Sequence, residues 1–100
     1  MSVVYEVNLA VDAPLVEQYR AWLHEHVAGI RALPGFTGAT IWTVADPPPP
    51  PDTVQLCVQY QLRDAAALED YLRDDAPRLR AEGVARFGDR VRAWRRVLAD

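Results

Sequence analysis

The sequence predicts an α+β fold in which one four-stranded antiparallel sheet is covered by helices on a single face. Along 100 residues, the order of patterns is strand, helix, strand, proline run, strand, helix, strand. Two of the predicted strands, Val3–Val11 and Thr53–Leu62, alternate apolar and polar side chains, which is typical of strands with one buried face. A βαββαβ order of this length places the four strands in one sheet and the helical segments on the same side of it.

The first strand is predicted at Val3–Val11 and is followed by a helix at Ala13–Ala32. Asp12 is expected to be the N-cap of this helix, with Pro14 in the first turn, and Pro34-Gly35 marks its end. At about 100° per residue, the apolar side chains of the helix fall on one stripe that we expect to be buried. The stripe contains Leu15, Val16, Tyr19, Trp22, Leu23, His26, Val27 and Ile30.

The second and third strands are separated by a run of prolines. The second strand is predicted at Phe36–Val44. Pro47–Pro51 lack the amide proton that a ladder requires, so this run is expected to form a stiff polyproline connection. Thr53–Leu62 shows the strictest alternation in the chain, with these residues on its apolar face: Val54, Leu56, Val58, Tyr60 and Leu62.

The remaining segment predicts two consecutive helices and a final strand. Asp64 is expected to cap a helix at Ala65–Asp74. Pro77 would be unfavourable deep inside a helix, so a separate helix is predicted at Ala76–Phe87. The last strand is predicted at Val91–Ala99. Together these elements predict a ferredoxin-like fold.

Composition indicates a single folded domain and excludes some partners. Half of the residues are hydrophobic and a quarter are charged, so residues 1–100 are expected to share one core. The formal net charge is −3, whereas nucleic-acid-binding domains usually carry a basic excess, so no nucleic-acid partner is expected. No run approaches the roughly 18 apolar residues of a membrane span, so no membrane partner is expected either.

The N-terminus and the single cysteine bear on location and redox chemistry. Met1–Glu6 has neither the basic stretch nor the apolar core of a signal peptide, which predicts a cytoplasmic protein. Cys57 has no partner for an internal disulfide and nothing nearby in sequence that would activate its thiolate. We expect it to be a small buried side chain.

The polar sides of the strands are expected to form the sheet face that the helices leave uncovered. This face is too polar for a helix-covered core and richer in amides and aromatic side chains than a solvated face needs. Its predicted members are Glu6, Asn8, Gln55, Cys57, Gln59, Gln61, Arg92, Trp94 and Arg96. Two such faces packed together would enclose a partly polar barrel, so the sequence predicts a homodimer.

Several short strings, spread over nearly the whole chain, carry a family resemblance. They are Tyr5-Glu6-Val7-Asn8-Leu9, Trp22-Leu23, His26-Val27, Pro34-Gly35-Phe36, Tyr71-Leu72, Ala76-Pro77-Arg78, Arg86-Phe87-Gly88-Asp89 and Arg95-Arg96-Val97-Leu98. With the element order, they resemble a bacterial domain-of-unknown-function family of the dimeric α+β barrel superfamily. The resemblance implies a ferredoxin-like fold that dimerises through its sheets. That superfamily includes cofactor-independent, antibiotic-biosynthesis-monooxygenase-like proteins, haem-degrading enzymes and stress-response dimers, so it implies function only by analogy.

Neither a haem nor a metal ion is predicted. The haem-degrading branch of the superfamily typically uses a histidine on the second helix as the iron ligand, and the segment from Asp64 to Phe87 contains none. His24 and His26 are two residues apart, which places them about 200° apart around a helix, so they cannot bind one ion together. No cofactor is therefore expected.

His26 is the candidate catalytic residue. It lies on the apolar stripe of the first helix and is expected to face the sheet, where Tyr5 and Tyr60 also point. A buried histidine beside tyrosines would act as a general base toward a phenolic substrate, with the two hydroxyls as orienting groups. The alternative is a neutral imidazole that fills space and hydrogen-bonds to a tyrosine or a backbone carbonyl.

Aromatic and amide side chains are further candidates for ligand binding. Trp22 and Trp42, together with Trp94, would line a pocket for a flat aromatic molecule, although aromatic residues also fill cores and interfaces. Asn8 would donate to a ligand carbonyl or, alternatively, satisfy Gln59 on the neighbouring strand.

Arginines of the C-terminal segment are candidates for anion binding. Arg86 and Arg96, with Arg95, would clamp a carboxylate, because guanidinium groups bind such groups through a bidentate fork. The alternative is a salt bridge between Glu6 and an arginine of the last strand, either Arg92 or Arg96.

These observations leave two classes of function. The first is a small-molecule binding protein or cofactor-independent monooxygenase-like enzyme for an aromatic or phenolic compound, with its pocket between sheet and helices. The alternative is a non-catalytic homodimer whose barrel serves assembly or regulation. A cavity of several hundred Å³ beside His26 would favour the first class, and a filled core there would favour the second.

Overall fold

Four strands and three α-helices make up the fold, which a computed structural model describes over residues 2–100. Two single 3-10 turns, at Ala13–Leu15 and Gly88–Arg90, precede the first helix and the last strand. In chain order the elements are β1 (Val3–Asp12), α1 (Val16–Arg31), β2 (Phe36–Thr43), β3 (Thr53–Leu62), α2 (Ala65–Asp74), α3 (Ala76–Phe87) and β4 (Val91–Ala99).

The strands form one antiparallel sheet in the order β2-β3-β1-β4. β1 is central and pairs along its length with β3 on one side and β4 on the other. Tyr5 of β1, for example, lies opposite Tyr60 and opposite Val97. With the helices packed on one face, this is a ferredoxin-like α+β fold, and the predicted fold class is confirmed.

The core lies between the helices and the apolar side of the sheet. Alternation along β1 and β3 places every second side chain on this side. The largest of these that are almost inaccessible to solvent are Val11, Leu56, Val58 and Leu62. Residues of α1 spaced three or four apart complete the layer: Tyr19, Leu23, Val27 and Ile30. Burying one such aliphatic side chain is worth about 1.5–3 kcal/mol, so this layer supplies most of the attraction between sheet and helices.

The first helix begins later than predicted, and Asp12 does not cap it. The segment from Ala13 forms a 3-10 turn, and regular α-helix spans Val16–Arg31. The Asp12 side chain makes no capping hydrogen bond. Two contacts explain this: the Ala13 amide donates to the carbonyl of Asp52 at 2.8 Å, and the Asp12 carboxylate accepts from Arg92 at 3.2 Å.

The second helical region follows the prediction. The Asp64 carboxylate caps α2 by accepting a hydrogen bond from the Ala67 amide at 2.9 Å. The helices break at Asp75, and Pro77 lies in the first turn of α3, where its missing amide leaves no bond unmade. Gly35, with φ +88°, lets β2 start close beneath α2, because a Cβ there would lie 2.5 Å from the Cβ of Ala67.

The connection between β2 and β3 lies outside the ladder. β2 ends at Thr43, one residue before the predicted end, although the Val44 amide still donates to the carbonyl of Gln55 at 2.9 Å. Pro47–Pro51 belong to neither a helix nor a strand, as predicted from their missing amide protons.

Truncation of the core tests this packing. Leu56→Ala should lower the free energy of unfolding by about 2–5 kcal/mol, because Leu56 is fully inaccessible and its loss leaves a cavity. Leu72→Ala is the matched control, since Leu72 is 36 % exposed on α2 and its truncation should cost less than about 1 kcal/mol. Urea denaturation followed by tryptophan fluorescence measures both. Equal losses would contradict the assignment of Leu56 to the core.

Candidate functional site

A cavity of about 120 Å³ lies between the helix-covered face of the sheet and the helices α1 and α3. Its floor is formed by β1 and β3, through Tyr5, Val7, Val58 and Tyr60, and its opposite walls come from α1 and α3. Ala93 and Arg95 of β4 form its outer side and are exposed, so the cavity meets solvent along this edge of the sheet. The cavity is smaller than the several hundred Å³ that we expected for a functional pocket, but the core beside His26 is not filled.

Tyrosines cluster at the inner end of the cavity. The rings of Tyr5 and Tyr60 stack with centroids 6.1 Å apart, and Tyr71 meets Tyr5 edge-on at 6.0 Å. Burial raises the pKa of Tyr71 and of Tyr19 to about 12, and it raises the pKa of Tyr60 as well. These three hydroxyls are therefore protonated at neutral pH and act as hydrogen-bond donors, not as bases.

The wall formed by α1 is aromatic. Trp22 and His26 are four residues apart on the helix, and their rings stack with centroids 4.4 Å apart. Phe87 and Tyr19 also pack against the indole of Trp22, with ring centroids 5.3 and 5.6 Å from its own. Gly83 of α3 faces the same indole: a Cβ at this position would lie 3.2 Å from Cη2 of Trp22. The absent side chain therefore allows α3 to pack closely over the tryptophan.

His26 is half-buried at the cavity wall. Burial lowers the pKa of His26 below its ordinary value of 6.5, and the nearby carboxylate of Glu82 opposes that shift only partly. The imidazole is thus neutral at pH 7. Among residues 2–100 it makes no hydrogen bond to a side chain or to the backbone. One ring nitrogen is consequently able to accept a proton from a bound molecule.

The cavity brings together some of the predicted site residues and excludes others. Tyr5, Trp22, His26 and Tyr60 line it. Arg86 does not; it is exposed on α3, with its guanidinium 5.8 Å from the ring centroid of Phe87.

Asn8, Trp42 and Arg96 lie on the opposite face of the sheet. Asn8 and Trp42 share a row with Cys57 and Trp94 across the four strands, and Arg96 lies opposite Glu6. The expected tryptophan walls are therefore provided by Trp22 alone. The reason is the strand period of two. Glu6 and Asn8 are an odd number of residues from Tyr5 along β1, so they and the residues paired with them point to the face opposite Tyr5 and Tyr60.

Tyr19, Tyr71, Arg80 and Gly83 also line the cavity and were not predicted for the site from the sequence. Helical spacing contained a signal for the face on which Arg80 lies, since it is four residues after Ala76 of α3, which is fully buried. Nη2 of Arg80 donates a hydrogen bond to the Tyr5 hydroxyl at 2.8 Å, across 75 residues of sequence.

The sheet face that the helices leave uncovered (the open face) carries a buried carboxylate in a polar network. Glu6 is 5 % exposed and accepts hydrogen bonds from Arg96, from Gln59 at 3.1 Å and from Asn8 at 3.3 Å. Asn8 in turn accepts from Gln55 at 3.3 Å. The hydrogen bond from Arg96 is the main cause that lowers the pKa of Glu6 to about 2, with Gln59 next. Of the two salt bridges predicted as alternatives, the one to Arg96 is formed.

Residues 2–100 contain neither a helix suited to crossing a membrane nor a cluster of side chains suited to a metal ion. None of the helices combines the length and the apolar character needed to cross a membrane. No three side chains of the histidine, cysteine, aspartate or glutamate type come together in that range in an arrangement suited to a metal ion.

The fold places the chain with ferredoxin-like α+β proteins. The chain belongs to the family described as a domain of unknown function, DUF4286, whose model matches residues 2–100. No curated protein matches the sequence.

Solved structures share the fold at low sequence identity. A cofactor-independent oxygenase from Streptomyces nogalater, SnoaB, is 16 % identical, with 100 % of this chain and 94 % of that chain covered and a TM-score of 0.70. A proposed antibiotic biosynthesis monooxygenase from Deinococcus radiodurans is 11 % identical, with 98 % and 91 % covered and a TM-score of 0.75. The de novo designed protein Foldit4 is 16 % identical, with 100 % and 99 % covered and a TM-score of 0.67. Because an oxygenase and a designed protein are both similar, this likeness concerns the fold alone.

The carboxylate network predicts a specific loss of stability in acid. Because the pKa of Glu6 falls from 4.5 to about 2 on folding, its contribution is complete above pH 4.5 and is lost as the pH falls toward 2. The side chain of Arg96 is 65 % exposed and is therefore screened by water, so we expect this contribution to be on the order of 1–2 kcal/mol. Glu6→Gln should therefore be less stable than wild type at pH 7, with the difference shrinking by pH 3 in urea denaturation.

Asp12→Asn is the matched control for this measurement. It removes a carboxylate that also pairs with an arginine of β4, Arg92, but both side chains are largely exposed, at 43 % and 50 %. Its difference from wild type should stay below about 1 kcal/mol at either pH. The same acid sensitivity in wild type and Glu6→Gln would show that the network does not hold a charged carboxylate.

Proposed function

We propose that the protein binds a small aromatic or phenolic molecule in the cavity beside His26 and acts on it as a cofactor-independent, monooxygenase-like enzyme. The observation that carries this proposal is a neutral, half-buried imidazole that stacks on Trp22 at the wall of an aromatic cavity and has no hydrogen-bond partner among residues 2–100. Histidine in such a position is suited to general base catalysis near neutral pH.

The size of the cavity restricts the ligand. A cavity of about 150 Å³ holds one benzene ring in another protein, so the 120 Å³ beside His26 limits the buried part of a ligand to a single ring at most. A polycyclic molecule would place one ring inside and extend along the exposed edge of β4, past Ala93. The aromatic side chains would contact the ring faces, which favours flat substrates.

The chemistry that this site supports begins with removal of one proton. In the keto tautomer of a phenol, His26 takes a proton from the acidic ring methylene, and protonated tyrosine hydroxyls stabilise the oxyanion of the resulting enolate. Dioxygen then oxidises that carbon. One oxygen atom becomes the new carbonyl and the other leaves as water, so four electrons pass from the methylene carbon to dioxygen and the atoms balance.

Replacement of His26 tests this function with dithranol, a hydroxyanthrone, as the substrate. His26→Ala should lower the rate of dioxygen consumption and quinone formation by about a hundredfold, the usual contribution of a general base. In wild type the rate should rise with pH and reach half its maximum below pH 6.5, because the pKa of His26 is lowered and the neutral form is the base. An oxygen electrode and the quinone absorbance measure both.

His24→Ala is the control for this experiment, because His24 is exposed on the far side of α1. It should retain the wild-type rate and pH profile. The enzymatic proposal would be wrong if dithranol turned over equally in wild type and His26→Ala, or if the two differed in melting temperature alone.

A second role, homodimeric assembly, is favoured by the open face of the sheet. Trp42 and Trp94 are 55 % and 48 % exposed there, at opposite ends of the row that contains Asn8 and Cys57. Tryptophan is enriched at protein–protein interfaces relative to the rest of the protein surface. The central charge of the face, Glu6, is already neutralised by Arg96, so two copies of this face would meet without net repulsion. We propose that a second copy of the chain covers it.

Light scattering tests this assembly. Wild type should have twice the chain mass of 11.2 kDa at micromolar concentration, and Trp42→Glu should be monomeric, because the new carboxylate would be buried without a partner. Leu72→Glu introduces the same charge on α2, away from the open face, and should remain dimeric. A monomeric wild type would rule out assembly through this face.

A further inference from the structure

Arg95 faces the cavity without a carboxylate partner. It lies opposite Val7, on the helix-covered side of β4, and borders the cavity. The alternate residues Arg92 and Arg96 point to the other side, where each pairs with a carboxylate. Among residues 2–100, no carboxylate oxygen lies within 4.0 Å of the Arg95 guanidinium. The positive charge of Arg95 also acts on tyrosines that line the cavity. It acts to lower the pKa of Tyr19, Tyr60 and Tyr71, whereas burial raises it.

Arg80 brings a second positive charge to the same cavity. Its guanidinium borders the cavity from α3 and donates to the Tyr5 hydroxyl at 2.8 Å. No carboxylate of residues 2–100 lies within 4.0 Å of it. Since the Tyr5 oxygen acts as the acceptor in this contact, the phenolic proton of Tyr5 is left to donate elsewhere.

The acidic groups nearest the cavity are already paired with another arginine. Glu82 of α3 acts to raise the pKa of His26, and Asp75, the N-cap of α3, acts to raise the pKa of Tyr71. Both carboxylates lie near Arg78, at 3.8 and 3.3 Å. The cavity is thus bordered by two arginines whose charges the described residues leave uncompensated, in a chain whose net charge is −3.

We propose that the ligand of this cavity is an aromatic carboxylate, with its ring among Tyr60, Trp22 and His26 and its carboxylate held by Arg95 and Arg80. This inference rests on the proposed binding function of the cavity and adds the chemical class of the ligand. A guanidinium fork binds a carboxylate through two parallel hydrogen bonds. The exposed position of Arg95 at the edge of β4 places the charged group toward solvent while the ring is buried.

A matched pair of probes tests the inference: 4-hydroxybenzoate and its neutral analogue 4-hydroxybenzamide, titrated against the protein at pH 7 and followed by NMR. The carboxylate should bind at least tenfold more tightly, because only it forms charge-assisted bonds to guanidinium. Arg95→Gln should remove most of that preference and leave binding of the amide unchanged. Arg31→Gln is the control, since it makes the same charge change at the exposed end of α1, and it should keep the preference.

Each other outcome has a definite meaning. Equal affinity for carboxylate and amide in wild type would overturn the carboxylate inference and leave the aromatic cavity proposal standing. Binding of neither probe would overturn the carboxylate inference, and the dithranol experiment would then decide separately whether the aromatic cavity proposal stands. A tenfold preference that persists in a variant with both Arg95→Gln and Arg80→Gln would overturn the assignment to these arginines. The wild-type comparison needs no substitution, so it decides the question even if a variant does not fold.

Discussion

The pairing of β1 with a strand on each side is the constraint on which the rest of the structure depends. Because neighbouring side chains of a strand point to opposite faces, the central strand determines two different surfaces at once. Tyr5 belongs to the aromatic cavity, whereas Glu6 belongs to the polar network of the open face. A shift of one residue in either pairing would exchange the two and place a carboxylate in the apolar core, which is strongly unfavourable. Strand register thus keeps the two surfaces chemically distinct.

The fold could be predicted almost completely because its signals are local. The alternation of Thr53–Leu62, the Asp64 cap and the break before Pro77 each depend on a few adjacent residues, and each appears in the structure where expected. The prediction that Asp12 caps the first helix was wrong because of a tertiary contact. The Asp12 carboxylate interacts with Arg92, which is remote in sequence and near only after β4 joins the sheet.

The site could be predicted only where a residue's face follows from spacing. His26 and Trp22 lie on the stripe of α1, and Tyr5 lies on the apolar side of β1, so their meeting was foreseeable. Trp42 belongs to a strand with weak alternation and a register shift between Phe36 and Gly38. The sequence pattern therefore does not reveal on which face of the sheet its side chain lies. The contact of Arg80 with Tyr5 depends on how α3 crosses the sheet, and no local spacing encodes that.

The small size of Gly83 bears on how much space the cavity beside His26 offers. The outer edge of the Trp22 indole lies against this glycine, and the imidazole of His26 stacks on the indole, so the three residues are in contact one after another. A bulky side chain at position 83 would displace the indole, and with it the imidazole, and so change the space beside them. In related chains, the residue aligned with Gly83 should therefore distinguish those that can admit a ring from those that are packed solid.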